Sequence, residues 1–314
     1  MYVGIDLGGT NIAAGVVDEN GKILSKASVP TKAIRPNEEY GDDMIMIAKK
    51  VIVDAGMDIS DIKAVGVGAP GSVDSKNGKV YDSENLGMDN FALADYISKG
   101  VGLPVYLEND ANAAAFGEYS MNGNDAENYI FVTLGTGVGG GIVIDGKIIR
   151  GFNGTGAELG HTSIKFDGID CNCGRRGCWE AYASVTALIR QTKEAMEKNP
   201  DSLMHNIAEK EGKVSGRTSF DAAKQGDAAA QKVVDNYAEY IGIGIANMVN
   251  IFQPNKIVIG GGISKEGDYL LDRVKKFVDA NDYNRSQEKA KIEVATLFND
   301  AGIIGAAFAA KARV

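Results

Sequence analysis

Cysteine, histidine and tryptophan are scarce in this chain of 314 residues, which holds three, two and one of them respectively. Three cysteines cannot all pair and nothing marks the chain as secreted, which excludes the disulfide framework of a small extracellular domain. Long apolar runs are lacking too. The longest uncharged stretch, residues 129–144, is broken by glycines and stops short of the roughly 18 to 20 apolar residues that span a bilayer. Nor is there an excess of positive charge, since 33 Lys and Arg stand against 42 Asp and Glu for a net charge of -9. A broad nucleic-acid face needs clustered cations to neutralise phosphates, so no nucleic-acid partner is expected. No charged leader precedes the strand-like YVGIDLG that follows Met1, and the expected compartment is the cytoplasm.

What the chain does contain is glycine, 40 residues, about 13% against about 7% in ordinary proteins. The glycines cluster after apolar strands, where a backbone without Cβ atoms can approach a ligand closely. A second concentration lies in residues 156–180, GAELGHTSIKFDGIDCNCGRRGCWE, which hold every cysteine and one of the two histidines. His161, Cys171, Cys173 and Cys178 offer one imidazole and three sulfurs within eighteen residues, the donor set of a four-coordinate structural Zn2+. Trp179 reads as a packing anchor, and His205, among polar helical residues, receives no role.

In chain order, residues 2–8 and 11–18 form a hairpin around Gly8, Gly9 and Thr10, and a third strand ends near Pro30. Helical spacing of apolar residues over 38–56 precedes a strand at 62–68, so the first segment reads β-β-β-α-β. A loop through Asp82, Asn85 and Gly87 leads to a short helix at 92–99 and a strand at 103–107. That strand delivers Asn109 and Asp110 to the N-terminus of an alanine-rich helix. Near residue 123 the order restarts, with strands at 129–134, 141–145 and 147–150, the cysteine stretch, and helices at 184–198, 202–211, 219–225 and 228–252. A strand at 256–259, a helix at 266–279, a strand at 292–297 and a helix at 301–311 follow. One supersecondary order occurring twice implies two α/β domains of one fold facing each other across a cleft, expected at 1–122 plus 301–314 and at 123–300. Inside the helix at 228–252, Gly242 and Gly244 cost stability unless something packs closely on them.

Gly135, Gly137 and Gly140 fit a dinucleotide fingerprint, but IVIDGKII after them alternates like β-structure where that fingerprint must open a helix. The pattern of a phosphate-binding Walker loop at 141–147 lacks its Ser or Thr, because Ile148 stands there. DLGGTN, with Asp6, Gly8, Gly9, Thr10 and Asn11, and LGTGVGGG, with Thr136 and Gly137, read instead as a matched pair of phosphate-binding hairpins. The triplet Gly260, Gly261 and Gly262 joins them after the strand at 256–259. Asp6 beside phosphates calls for Mg2+ between them. Asp110 is the candidate base, and the helix N-terminus is expected to keep it ionised.

DLGGTN, ENDANAAAFGE, LGTGVGGG, GAELGH and CNCGRRGCWE, in this order and spacing, resemble the ROK family of sugar kinases. The resemblance covers essentially the whole chain, and the NLG at 85–87 further resembles the bacterial ATP-dependent glucokinases of that family. Met88 departs from the pattern, because tryptophan is expected there in those enzymes. The resemblance implies a two-domain actin-like, hexokinase-like (ribonuclease H-like) fold and transfer of phosphate from ATP with Mg2+ to the 6-hydroxyl of glucose. It places Asp110 against that hydroxyl, with Asn85, Asn109, Glu158, His161 and Glu180 holding the sugar and structural Zn2+ stiffening the site. Adenine is expected near Gly260, Gly261 and Gly262, and the assembly is expected to be a homodimer or homotetramer. Fructose, mannose or N-acetylmannosamine are alternative substrates. The family's sugar-responsive repressors carry a helix-turn-helix ahead of the kinase-like part, whereas here the first hairpin begins at Asp6.

Overall fold

A computed structural model describes residues 1–123 and 125–314. Its strands are β1 (Tyr2–Leu7), β2 (Asn11–Val17), β3 (Ile23–Pro30), β4 (Ala64–Ala69), β5 (Ser72–Asp74), β6 (Lys79–Ser83), β7 (Met88–Phe91), β8 (Val105–Asn109), β9 (Asn128–Leu134), β10 (Val138–Ile144), β11 (Lys147–Ile148), β12 (Lys256–Gly260) and β13 (Lys291–Val294). The helices are α1 (Asn37–Asp54), α2 (Leu93–Val101), α3 (Asp110–Glu118), α4 (Glu180–Ala183), α5 (Val185–Lys198), α6 (Leu203–Glu211), α7 (Thr218–Lys224), α8 (Ala228–Phe252), α9 (Asp268–Asn281) and α10 (Ala301–Lys311). The chain divides into two compact units, one of Met1–Glu127, Gly141–Ala157 and Leu297–Val314, the other of Asn128–Gly140 and Glu158–Thr296. No helix among the described residues is long and apolar enough to cross a membrane.

In the first unit a five-stranded sheet runs β3-β2-β1-β4-β8. β1 and β2 are an antiparallel hairpin with Leu7 opposite Ile12, while β4 lies parallel to both β1 and β8. The alanine-rich α10 is buried over ten of its eleven residues, which only a helix sandwiched on all sides can be. Small residues make that possible: a Cβ at Gly4 would lie 1.9 Å from the Ile303 carbonyl oxygen, and one at Gly66 1.8 Å from that of Ala306. Backbone therefore packs on backbone, and the sheet carries α10 directly against its face.

In place of the expected loop through Asp82, Asn85 and Gly87 the chain forms a small antiparallel sheet of order β5-β6-β7, with residues 84–87 as the turn between β6 and β7. Its strands are three to five residues long, SVD, KVYDS and MDNF, too short and too polar to show a period of two. Asn85 lies in the turn between β6 and β7, held by the Tyr40 hydroxyl, which donates to the Leu86 carbonyl at 2.9 Å. Met88, at 1% exposure, fills core, so the departure from tryptophan is a change of packing volume under that turn.

The second sheet has the order β11-β10-β9-β12-β13, with β12 parallel to both β9 and β13. Within the second unit α8 lies against α5, α7 and α9. Its two internal glycines are explained by rings: a Cβ at Gly244 would lie 2.0 Å from Trp179, and one at Gly242 2.6 Å from Phe277. Two helix glycines cost about 2 kcal/mol, whereas burying Trp179 alone, at about 150 to 250 Å2, returns about twice that. Trp179 is fully buried and its indole N–H donates to the Tyr240 carbonyl at 2.8 Å, so it is the packing anchor expected.

Candidate active site and metal centre

Asp6 is the last residue but one of β1, Asn109 ends β8, and α3 begins directly after it at Asp110, all within the first unit. Asn109 is the helix cap: its side-chain oxygen accepts from the Ala111 N–H at 3.0 Å and the Asn112 N–H at 3.1 Å. The Asp110 carboxylate itself accepts the Ala111 N–H at 2.8 Å. Burial raises the Asp110 carboxyl above the ordinary range, with backbone hydrogen bonds opposing. Desolvation is the largest influence on this carboxyl, and the backbone donors of the helix end oppose it.

Asp6 is the second desolvated carboxylate, half-buried like Asp110. Burial, and then the like charge of Asp110, push it up to about 6, against a lowering by Lys26. A Cβ at Gly302 would lie 2.6 Å from this carboxylate, so α10 packs its backbone closely against it. The difference between about 6 and the ordinary 3.8 corresponds to roughly 3 kcal/mol. Because the folded-state value is raised, the folded protein binds the proton more tightly; the cost is full above pH 6 and vanishes as pH falls toward 3.8. Asp6→Asn should therefore raise stability by about 2 to 3 kcal/mol at pH 8, with the gain shrinking by pH 4.5. Urea unfolding at both pH values checks this, and a variant that gains nothing at pH 8 contradicts it.

The hairpin beyond Asp6 is closed by Gly8 N–H donating to the Asn11 carbonyl at 3.0 Å. Thr31 braces it, with its hydroxyl on the Gly8 carbonyl at 2.6 Å and its N–H on the Thr10 carbonyl at 2.9 Å. Thr10 and Asn11 are exposed at its tip, and a Cβ at Gly9 would meet nothing within 4 Å. In the second unit Gly135 N–H donates to the Gly137 carbonyl at 3.0 Å, which closes the matching turn around Thr136. Gly261, with φ of 87°, packs its backbone onto the end of β9, where a Cβ would lie 2.1 Å from the Leu134 carbonyl. The triplet Gly260, Gly261 and Gly262 thus sits beside the Gly135 turn.

The second unit also gathers the metal-ligand set. One ligand atom from each of His161, Cys171, Cys173 and Cys178 lies within 4.8 Å of the others. The Cys173 and Cys178 sulfurs are 3.7 Å apart, and Zn–S bonds of about 2.3 Å in a tetrahedron put two sulfurs about 3.8 Å apart. Three free thiols and one imidazole at this spacing fit zinc. His161 turns Nδ1 to Cys171 at 3.9 Å, so with metal on Nδ1 the proton resides on Nε2. Burial, and then the neighbouring thiols, push Cys178 up to about 12, so a dication must displace protons as it binds. Glu158 precedes the 3-10 turn Leu159–His161, its carbonyl accepting the His161 N–H at 3.1 Å. Glu180 opens α4, and its carboxylate reaches both Cys171 and the Val138 N–H, the latter at 2.9 Å.

A family model described as the ROK family matches residues 2–313. The chain belongs to the ROK family. It is 40% identical to the glucokinase of Halalkalibacterium halodurans, over 99% of this chain and 94% of that one. A crystal structure of a ROK family glucokinase from Streptomyces griseus, in complex with glucose and AMPPNP, aligns with a TM-score of 0.84 at 38% identity over 99% of each chain. A ROK hexokinase from Thermus thermophilus aligns at 0.82 and 34% identity, over 99% of this chain and 98% of that one. The fold is thus the actin-like, hexokinase-like α/β fold expected.

One pair in this ROK chain escaped the sequence reading. Glu108, 1% exposed, receives Arg150 Nε at 2.7 Å and a terminal guanidinium nitrogen at 2.6 Å. It also accepts the Asn109 N–H at 3.2 Å, so this buried ion pair fixes the strand end that carries Asn109 and Asp110. The only signal in the sequence was a carboxylate inside ENDAN. Its partner lies 42 residues away.

Proposed function

We propose that this protein transfers the γ-phosphate of ATP to the 6-hydroxyl of glucose, giving glucose 6-phosphate and ADP. The observation that carries the reading is Asp110, a desolvated carboxylate at the first turn of a helix, with Asp6 and a glycine hairpin adjoining it in the same unit. Full-length likeness to glucokinases names the sugar. In this reading Asp110 receives the hydroxyl proton as the oxygen attacks phosphorus, and its raised affinity for protons favours that acceptance. The hairpins at Gly8, Gly9, Thr10 and Asn11 and at Thr136 and Gly137, with the turn at Gly260, Gly261 and Gly262, hold the nucleotide. Mg2+ carried with ATP supplies neutralisation of phosphate charge, and Asp6 is placed to meet it. Asn85, Asn109, Glu158, His161 and Glu180 supply polar partners for the ring hydroxyls, which a ring of hydroxyls requires. Zinc on His161, Cys171, Cys173 and Cys178 is structural, since four protein ligands leave no open position for substrate. The reading places the protein in the cytoplasm, where ATP is available, as a homodimer or homotetramer.

A sugar panel tests the substrate. Glucose, mannose, fructose and N-acetylmannosamine are each offered with MgATP, and kcat/KM is expected to be highest for glucose. A higher value for any other sugar overturns glucose as the substrate and leaves the kinase reading intact.

A further inference from the structure

Glu180 stands between two sites that the functional reading keeps apart, the sugar wall and the nucleotide hairpin. Its Oε2 accepts the Val138 N–H at 2.9 Å, the first amide after the Gly135–Gly137 turn. Its Oε1 lies 3.9 Å from the Cys171 sulfur. A Cβ at Gly137 would lie 2.2 Å from Oε2, so glycine there lets the carboxylate sit close against the turn. The backbone that presents Glu180 is itself held on both sides. Cys178 and the buried Trp179 precede it, and its carbonyl accepts the Ser184 N–H at 3.1 Å.

The other contacts of the turn run the same way. The Gly135 carbonyl takes the Val185 N–H at 2.8 Å, the Thr136 carbonyl takes the Thr186 hydroxyl at 2.7 Å, and the Gly137 carbonyl takes the Gly135 N–H at 3.0 Å. Carbonyls that would repel a phosphate are thus engaged by donors of the protein. Glu180 adds the only charged acceptor among these contacts, and hydrogen bonds to an ionised group are the stronger kind.

We infer that Glu180 is a positioning residue for the nucleotide: it fixes the Gly135–Gly137 turn by holding the Val138 N–H, in addition to any contact with sugar. The inference rests on the reading of that turn as a phosphate hairpin. Two effects of the carboxylate on a bound nucleotide oppose each other. Fixing the turn favours binding, and a negative charge beside phosphates disfavours it. The two separate by substitution, because Gln keeps an acceptor oxygen for Val138 and removes the charge, whereas Ala removes both.

The test is titration of wild type, Glu180→Gln and Glu180→Ala with a non-hydrolysable ATP analogue and Mg2+, without hexose. Amide exchange of Val138 is followed in parallel, with circular dichroism as a check on folding. The Ala variant is expected to bind the analogue about tenfold more weakly than wild type and to exchange Val138 faster. The Gln variant should bind at least as tightly as wild type and keep Val138 protected. Equal affinities for the Gln and Ala variants, or unchanged Val138 exchange in Ala, overturn the inference. If no form binds the analogue, the nucleotide assignment of the turn falls and the inference with it; a Val138 that exchanges faster only in Ala then leaves the clamp as a bare structural contact.

Discussion

Asp110→Asn should lower kcat by about three orders of magnitude while KM for glucose and MgATP changes little, because a positioned base contributes about 10^2 to 10^4 in rate. The fold should survive. Asn109 caps α3 through two backbone N–H groups, and the Asn oxygen at position 110 can still accept the Ala111 N–H that Oδ1 accepts now at 2.8 Å. The same carboxylate sets the acid side of the pH profile. Its proton affinity is raised by burial, and only the ionised form accepts a proton, so kcat should fall as pH is lowered at a value above that of an ordinary aspartate. Steady-state kinetics between pH 5 and 8 on wild type and variant read both effects. A variant retaining near-normal kcat removes Asp110 as the base.

Loss of the metal should be the other large effect. Stripping zinc, or replacing Cys178 by Ser, leaves three or four side chains of the 158–180 stretch without the ion that joins them. The isolated contacts are weak, sulfur to sulfur at 3.7 Å and sulfur to imidazole at 3.9 Å. Removing a ligand that binds only the folded state costs several kcal/mol; for a chain of this size that is a fall in Tm on the order of 10 °C. Glucose binding should weaken in step, because Glu158, His161 and Glu180 flank or belong to the set. Elemental analysis should return about one zinc per chain, and calorimetry with and without chelator reads the Tm. Metal-free protein with unaltered Tm and glucose affinity would contradict the structural role.

The repeated strand and helix order, the hairpin at Gly8 to Asn11 and the convergence of His161 with the three cysteines were legible because each is written in local spacing. The glycines of α8 were legible as a demand, and Trp179 and Phe277 are what meets it. The β5-β6-β7 sheet was not, since strands of three to five residues with charged faces carry no usable period. Nor was the balance at Asp110, where sequence shows a helix start but not the burial that outweighs it. Glu108 with Arg150, and Glu180 with the Val138 amide, join residues 42 apart in each case, and nothing local announces such pairs.

Phosphoryl transfer from ATP to glucose is measured most directly by following ADP and glucose 6-phosphate together by 31P NMR. With MgATP and glucose the two products should rise in equal amounts, and with MgATP alone neither should rise above the rate of spontaneous hydrolysis. No ADP with glucose present, or ADP formed without a matching sugar 6-phosphate, would contradict it.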